Sequence, residues 1–201
     1  MIAAEKTVLV LLAAGRSERF GTVDKLIEPF LGRPLALHVT TALEAMPFAR
    51  RIVVTDGTQL DFAALGYHVI HNDEPDRGVI HSAKLGIEQL RDDDIEAVLF
   101  ALADMPRVTA RHIYRMLDAA NGRDAVVASS DGIRPCPPVL FGADQFDALR
   151  ALDGDQDARA LVLSGKHVVA SPAELIDIDT PEQLEKLRGM FPSRWRSEAE
   201  A

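Results

Sequence analysis

What the chain lacks narrows its possibilities first. It has a single cysteine, Cys136, so it can build neither an internal disulfide framework nor a cysteine-based zinc site. Its six histidines are scattered without metal-ligand spacing. No apolar run approaches the ~18 residues of a membrane-spanning helix. The N-terminus shows neither a basic leader region nor a cleavage motif, which reads as a soluble, cytoplasmic protein without a membrane partner. Cations are outnumbered, 22 Lys and Arg against 31 Asp and Glu, for a net charge of −9. That balance disfavours nucleic acid as a partner, although an acidic shell can still enclose a local basic pocket. There is no repeat, no low-complexity tract and no interdomain linker.

What is present is a regular alternation. Across 201 residues, 47% of them hydrophobic, β-branched apolar runs such as "TVLVLL", "RRIVVTD", "YHVIHN" and "IEAVLFALAD" alternate with stretches of helical period. The last of these four reads as the longest strand. "PLALHVTTALEAM", "TQLDFAAL", "VIHSAKLGIEQL" and "TARHIYRMLDAA" read as helices, the last capped by Thr109. "TPEQLEKLRGM" reads as a final helix with Thr180 as cap and Pro181 at its first position. This rhythm predicts an α/β fold, a three-layer α/β/α Rossmann-like arrangement around a mainly parallel sheet. The rhythm breaks over residues 124–170, where a short antiparallel part is expected. One domain is expected over residues 1–189, with a nucleotide-binding N-terminal half and an acceptor-binding C-terminal half, and residues 190–201 as a flexible tail.

In such sheets ligands lie beyond the carboxyl ends of the strands. The first strand empties into "LLAAGRSERFGTVDKL" (residues 11–26), a loop rich in small residues that carries Arg16, Arg19 and Lys25. Small residues let a ligand approach the backbone, and guanidinium and ammonium groups suit phosphate. The loop is not a Walker A, because five residues separate Gly15 from Gly21 and no Gly-Lys-Ser/Thr follows; nor does it hold G-x-G-x-x-G. Taken alone it could equally be a surface turn with solvated charges. Asp104, just past "VLFALAD", is either a metal-facing carboxylate or a turn residue before Met105-Pro106. In "LIDIDTPEQL", Asp177 and Asp179 share one side of an extended backbone, or simply place charge at a helix start.

Together these stretches resemble the MobA-like nucleotidyltransferases. "LAAGRSERFGTVDKL" is similar to their signature loop, L-A-A/G-G-x-S-x-R-[MF]-G-x-x-K-L; "ADMP" to their L-x-D-M-P; and "DIDTPEQL" to their D-I-D-T-P-E-D-L. The resemblance reaches to about residue 188, with four motifs in the right order. It implies a nucleotidyltransferase fold in which Leu12, Ala13, Ala14, Gly15, Arg16 and Ser82 bind nucleotide and Arg19 and Lys25 hold its phosphates. Arg19, Lys25 and Asp104 would be catalytic. Asp104 and Asp179 would bind Mg²⁺ (Mn²⁺ as an alternative), with Asp177 behind them. The family's guanylyl branch usually carries L-A-G-G and its cytidylyl branch L-A-A-G, so Ala14 points to CTP, its methyl leaving less room for a purine. The implied reaction is CMP transfer from CTP to the phosphate of molybdopterin, with a molybdoenzyme or its chaperone as a further partner.

The middle and acceptor segments depart from the family. "RGVIHSAKLG" keeps Gly78, Ser82 and Gly86 but has Val79, Ile80 and Ala83 where the family has Met, Ser and Leu. His81 fills a variable position and reads as a turn or surface histidine. "RPCPPVLFG" and "GDQDARAL" resemble the acceptor half, with Pro138, Asp155 and Arg159 as acceptor-binding residues. Cys136-Pro137-Pro138 replaces Gly-x-Pro, and Asp157 replaces a second glycine. Two losses of backbone freedom at that place leave room for a changed acceptor. The rival readings are a transferase of the same fold using GTP or a sugar or polyol phosphate, and a nucleotide-binding delivery chaperone without chemistry.

Overall fold

The apolar alternation folds as a seven-stranded sheet. A computed structural model describes residues 1–15, 18–21, 23–90 and 94–191. In chain order the elements are β1 (Thr7–Ala13), β2 (Pro29–Phe30), β3 (Arg33–Pro34), α1 (Ala36–Leu43), β4 (Arg50–Thr55), β5 (His68–His71), α2 (Gly78–Ile87), β6 (Ala97–Leu102), α3 (Ala110–Ala119), β7 (Val126–Ser130), β8 (Pro135–Gly142), α4 (Phe146–Ala151), α5 (Asp155–Ser164), β9 (Lys166–Val169) and α6 (Pro181–Gly189). The sheet order is β5-β4-β1-β6-β8-β7-β9, with β2 and β3 forming a small separate ribbon. Strands β5, β4, β1 and β6 run parallel, β7 pairs in parallel with β9, and β8 runs antiparallel to both its neighbours. The antiparallel part therefore falls where the rhythm of the sequence breaks. At eight residues β8, not β6, is the longest strand.

Strand periodicity sorts the core onto two faces. Leu9 and Leu11 of β1 pack with Val39 and Leu43 of α1 and with Ile113 and Met116 of α3. Val8 and Val10 face the other way, toward Ile87 of α2 and Phe146 and Leu149 of α4. Helices thus cover both faces of the sheet. A third cluster joins Phe30 and Leu35 to Ile178, Leu184 and Leu187, seating α6 on the ribbon. Phe191 closes that cluster edge-on to Phe30, at 5.6 Å between ring centroids. The rest of the expected tail, residues 192–201, lies outside the described residues. Among the described residues no helix is long and apolar enough to cross a membrane.

Gly86 shows how closely α2 rides on the sheet. A Cβ there would lie 2.6 Å from Val10 Cγ1. Gly86→Ala is expected to cost about 1–3 kcal/mol of stability by overpacking, read as a lower urea midpoint.

One expected helix is absent. Residues 58–65 form turns rather than helix. The Thr58 hydroxyl accepts from Leu60 N at 3.5 Å and Asp61 Oδ1 from Ala64 N at 3.0 Å, so side chains take donors that a helix would use. Phe62, almost wholly buried, pins the turn to the core. Both threonine caps are where the sequence puts them: Thr109 accepts from His112 N, and Thr180 forms a capping box with Gln183.

Candidate active site

The site forms at the carboxyl ends of β1 and β6. Their register pairs Leu12 with Leu102, and Ala103 N donates to Leu12 O at 3.0 Å. The loop carrying Ala14 and Gly15 therefore runs beside the one carrying Asp104. A third segment reaches the same place from far along the chain, because Ile178 N donates to Asp104 O at 3.0 Å. The residue after it, Asp179, is then fixed by the start of α6, where its N–H donates to Gln183 Oε1 at 2.6 Å. One backbone bond and one helix cap bring together two aspartates that lie 75 residues apart in sequence.

Lys25 enters from the opposite side. It opens a short 3₁₀ turn, Lys25–Ile27, capped by Asp24, whose Oδ1 accepts from Leu26 N at 2.9 Å and whose Oδ2 accepts from the Thr58 hydroxyl. The cap turns the lysine inward. Its side chain is 6% exposed, and its ammonium donates to Asp104 Oδ2 at 2.6 Å, Ile178 O at 3.0 Å and Asp179 Oδ1 at 3.3 Å. Arg19 Nη1 lies 3.3 Å from Asp179 Oδ2 and is largely exposed. Burial pushes the Asp104 carboxyl above the ordinary carboxylate range. The Lys25 charge opposes that shift, and the charges of Asp177 and Asp179 add to it.

One cleft opens on this cluster, and a second adjoins the first. The smaller, of about 270 Å³, is lined by Leu12, Ala13, Ala14, Gly15, Lys25, Ser82 and Asp104 among others. Ser82 is buried, its Oγ accepting from Asn72 Nδ2 at 3.0 Å. The larger, of about 780 Å³, is lined by Arg134, Cys136, Arg159 and Asp177 among others, and it shares Val79 with the smaller one. Pro138 is buried in β8, its carbonyl accepting from Ser129 Oγ at 2.9 Å, and does not line either cleft. Asp155 opens α5. The Asp155 side chain, and Arg16 altogether, lie outside the described residues. His81, read from the sequence as a turn or surface histidine, instead lies within α2 with its side chain only 15% exposed, 3.8 Å from Glu74.

Sequence reasoning missed three supporting residues. Asn72, which holds Ser82, follows the edge strand β5 and carries no motif signal. Asp24 could have been found as a cap before "KLI". Arg134 sits on the β7–β8 turn, where Asp131 Oδ1 accepts from Ile133 N and Arg134 N at 2.8 and 2.9 Å; a D-G-x-R turn is legible, but its position over a cleft is not.

The cluster suits a hard divalent cation. Asp104 Oδ1 is buried with no hydrogen-bond partner, a desolvated anionic oxygen that a cation would satisfy. Asp179 and the Ile178 carbonyl supply further oxygens. Among the described residues no three His, Cys, Asp or Glu side chains gather to make a full protein cage. Two carboxylates, with phosphate and water completing the shell, is the Mg²⁺ and Mn²⁺ pattern rather than the zinc pattern.

Two tests follow from the clefts. Gly15 is exposed, its φ is not left-handed, and a Cβ there would meet no protein atom within 4 Å. Gly15→Ala should therefore change stability by no more than about 0.5 kcal/mol, while raising the nucleotide KM about tenfold, ~1.4 kcal/mol of binding. Melting curves and steady-state kinetics separate the two effects. In the larger cleft, burial pushes the Cys136 thiol up to about 11, with Asp131 and Asp177 adding to the shift. At pH 8 its reaction with iodoacetamide should run about a hundredfold slower than that of the unfolded chain, and its rate should still be climbing at pH 10.

The sequence of this chain and its fold both match a known family. The sequence profile of the MobA-like NTP transferase domain matches residues 9–169. The purine catabolism protein PucB of Bacillus subtilis is 28% identical over 89% of this chain and 94% of its own length. A molybdenum cofactor guanylyltransferase of Shewanella sediminis is 26% identical over 89% and 93%. The bifunctional protein GlmU of Rhizorhabdus wittichii is 35% identical over 66% of this chain, which spans only 30% of that protein. A nucleotidyl transferase from Methanothermobacter superposes with a TM-score of 0.75, at 22% identity, over 92% of this chain and 96% of its own. A Mycobacterium tuberculosis protein solved as a manganese complex superposes at 0.71, with 21% identity, over 92% and 99%. On its sequence and its fold, then, this chain belongs to the MobA-like NTP transferase domain family and is a nucleotidyltransferase.

Proposed function

We propose that this chain transfers CMP from CTP to the terminal phosphate of molybdopterin or its molybdenum form, releasing pyrophosphate. The observation that carries the transfer itself is the convergence of Asp104, Asp179 and Lys25 beside the smaller cleft, which Asp104 and Lys25 line. CTP is favoured by Ala14, which lines the smaller cleft where the guanylyl branch carries glycine. A phosphorylated pterin is favoured by the larger cleft, whose apolar walls suit a flat ring system and whose Arg159 and Arg134 suit an anion. A single domain over residues 1–189 would then divide as the clefts do, nucleotide on the N-terminal half and acceptor mostly on the C-terminal half.

The chemistry asks little proton transfer of the protein. An acceptor phosphate oxygen, already anionic, forms the new bond to the α-phosphorus of CTP. The bond from that phosphorus to the bridging oxygen breaks, and its electron pair leaves on pyrophosphate. No general base is required, which agrees with the absence of a histidine in the cluster. Ala13, Ala14 and Gly15 would admit the nucleotide against backbone, and Ser82, held by Asn72, would offer its hydroxyl. Arg19 and Lys25 would take charge that builds on the departing pyrophosphate. Asp104 and Asp179 would hold Mg²⁺ (or Mn²⁺), which neutralises phosphate charge when bound.

The test is pyrophosphate release by the purified protein from each of the four NTPs, with molybdopterin as acceptor. CTP should be preferred. A preference for GTP would overturn the base assignment, release only with a sugar or polyol phosphate would overturn the acceptor, and tight CTP binding with no release would favour the delivery chaperone.

A further inference from the structure

The acidic cluster is already filled by a cation of the chain's own. An ammonium carries three N–H donors, and the Lys25 ammonium meets Asp104 Oδ2, Ile178 O and Asp179 Oδ1 at 2.6, 3.0 and 3.3 Å. The other oxygen of Asp179 faces Arg19 at 3.3 Å. Both carboxylates read above as metal ligands are thus engaged by protein cations in this structure. The seat is shielded on one side and open on the other: the Lys25 side chain is 6% exposed and that of Asp104 16%, while that of Asp179 is 37% exposed. On the shielded side the Asp104 carboxylate needs a counter-charge, and a second cation entering beside the Lys25 ammonium meets its repulsion.

We infer that Lys25 is the resident counter-ion of the metal seat, keeping it closed to divalent cations until a nucleoside triphosphate draws the ammonium away. The inference rests on the proposed role of Asp104 and Asp179 as metal ligands. A triphosphate offers the lysine and Arg19 new anionic partners on the cleft side, where both Gly15 and Lys25 line the wall. Once the ammonium turns toward phosphate, Asp104 and Asp179 regain free oxygens facing one point, and Asp104 Oδ1, without a partner in the resting state, gains one. Lysine suits the role better than arginine, because a compact point charge on a flexible stem can change partners without refitting a planar fork. Metal and nucleotide then help each other to bind, by the same factor in either direction.

The experiment titrates nucleotide-free protein with Mn²⁺ and reads free Mn²⁺ by electron paramagnetic resonance. Wild type is compared with Lys25→Ala, with Lys25→Gln, and with Lys25→Gln combined with Asp104→Asn. The glutamine variant keeps a hydrogen-bond donor near Asp104 while removing the charge, which guards against loss of the fold. Without nucleotide, both single variants should bind Mn²⁺ at least about tenfold more tightly than wild type, ~1.4 kcal/mol. Mn²⁺ should also raise their melting temperatures more than that of wild type, and the double variant should lose the gain. Equal Mn²⁺ affinity in wild type and the lysine variants would overturn the counter-ion role while leaving the ligand assignment intact. A gain that survives Asp104→Asn would overturn both, because the ion would then sit elsewhere.

Discussion

Asp104→Ala is expected to lower turnover by about 10²-fold or more while leaving the nucleotide cleft formed. The carboxylate lies where β1, β6 and the Asp179 segment meet. One of its oxygens takes the Lys25 ammonium and the other is buried without a partner. Removing the group takes away one of the two carboxylates proposed to hold the metal that neutralises phosphate charge, and losses of that kind fall on the chemical step more than on nucleotide binding. Asp104→Asn sharpens the test, since it keeps shape and removes charge. Pyrophosphate release at saturating NTP and metal should fall in both variants. Near-native turnover in either would remove Asp104 from the machinery.

Lys25→Ala should show two large effects. The first is on stability. With the lysine gone, the Asp104 carboxylate stays in its desolvated position without the partner at 2.6 Å. Stranding one member of a buried pair costs about 3–5 kcal/mol, visible as a marked fall in the metal-free melting temperature. The second is on turnover, by about 10²-fold, because the cation proposed to take charge from the leaving pyrophosphate is lost. Added Mn²⁺ should restore much of the stability and none of the turnover. An unchanged melting temperature in chelator would mean that the ammonium does not hold the two aspartates together.

Much of the fold is legible because it rests on local periods. The strands at 7–13, 50–55, 68–71 and 97–102 carry apolar β-branched runs, and the caps Thr109 and Thr180 announce their helices. The helix expected over 58–65 fails for a local reason that periodicity overlooks, the hydroxyl and carboxylate of Thr58 and Asp61 competing for backbone donors. In the site, the signature loop and the aspartates at 104 and 179 stand out by motif. The roles of Asn72 and Asp24 do not, since each acts through a neighbour that only folding supplies, and neither does that of Arg134, whose place over a cleft only the fold decides. Pro138 illustrates the converse: its motif position suggests acceptor contact, while its carbonyl is turned to Ser129.

By itself the sequence determined the class of fold, the residue types available for phosphate chemistry and the loops that carry them, because spacing along a chain sets which side chains share a face and where a strand must end. It could not determine how the charges pair. Lys25 stands with the basic residues of its loop in the sequence, yet the ammonium lies between two carboxylates contributed by segments 79 and 154 residues away. That arrangement was decided by tertiary structure alone, since a shielded Asp104 beside Asp179 favours a cation between them, and the 3₁₀ turn that opens on Lys25 brings its ammonium within reach of both and of the Ile178 carbonyl.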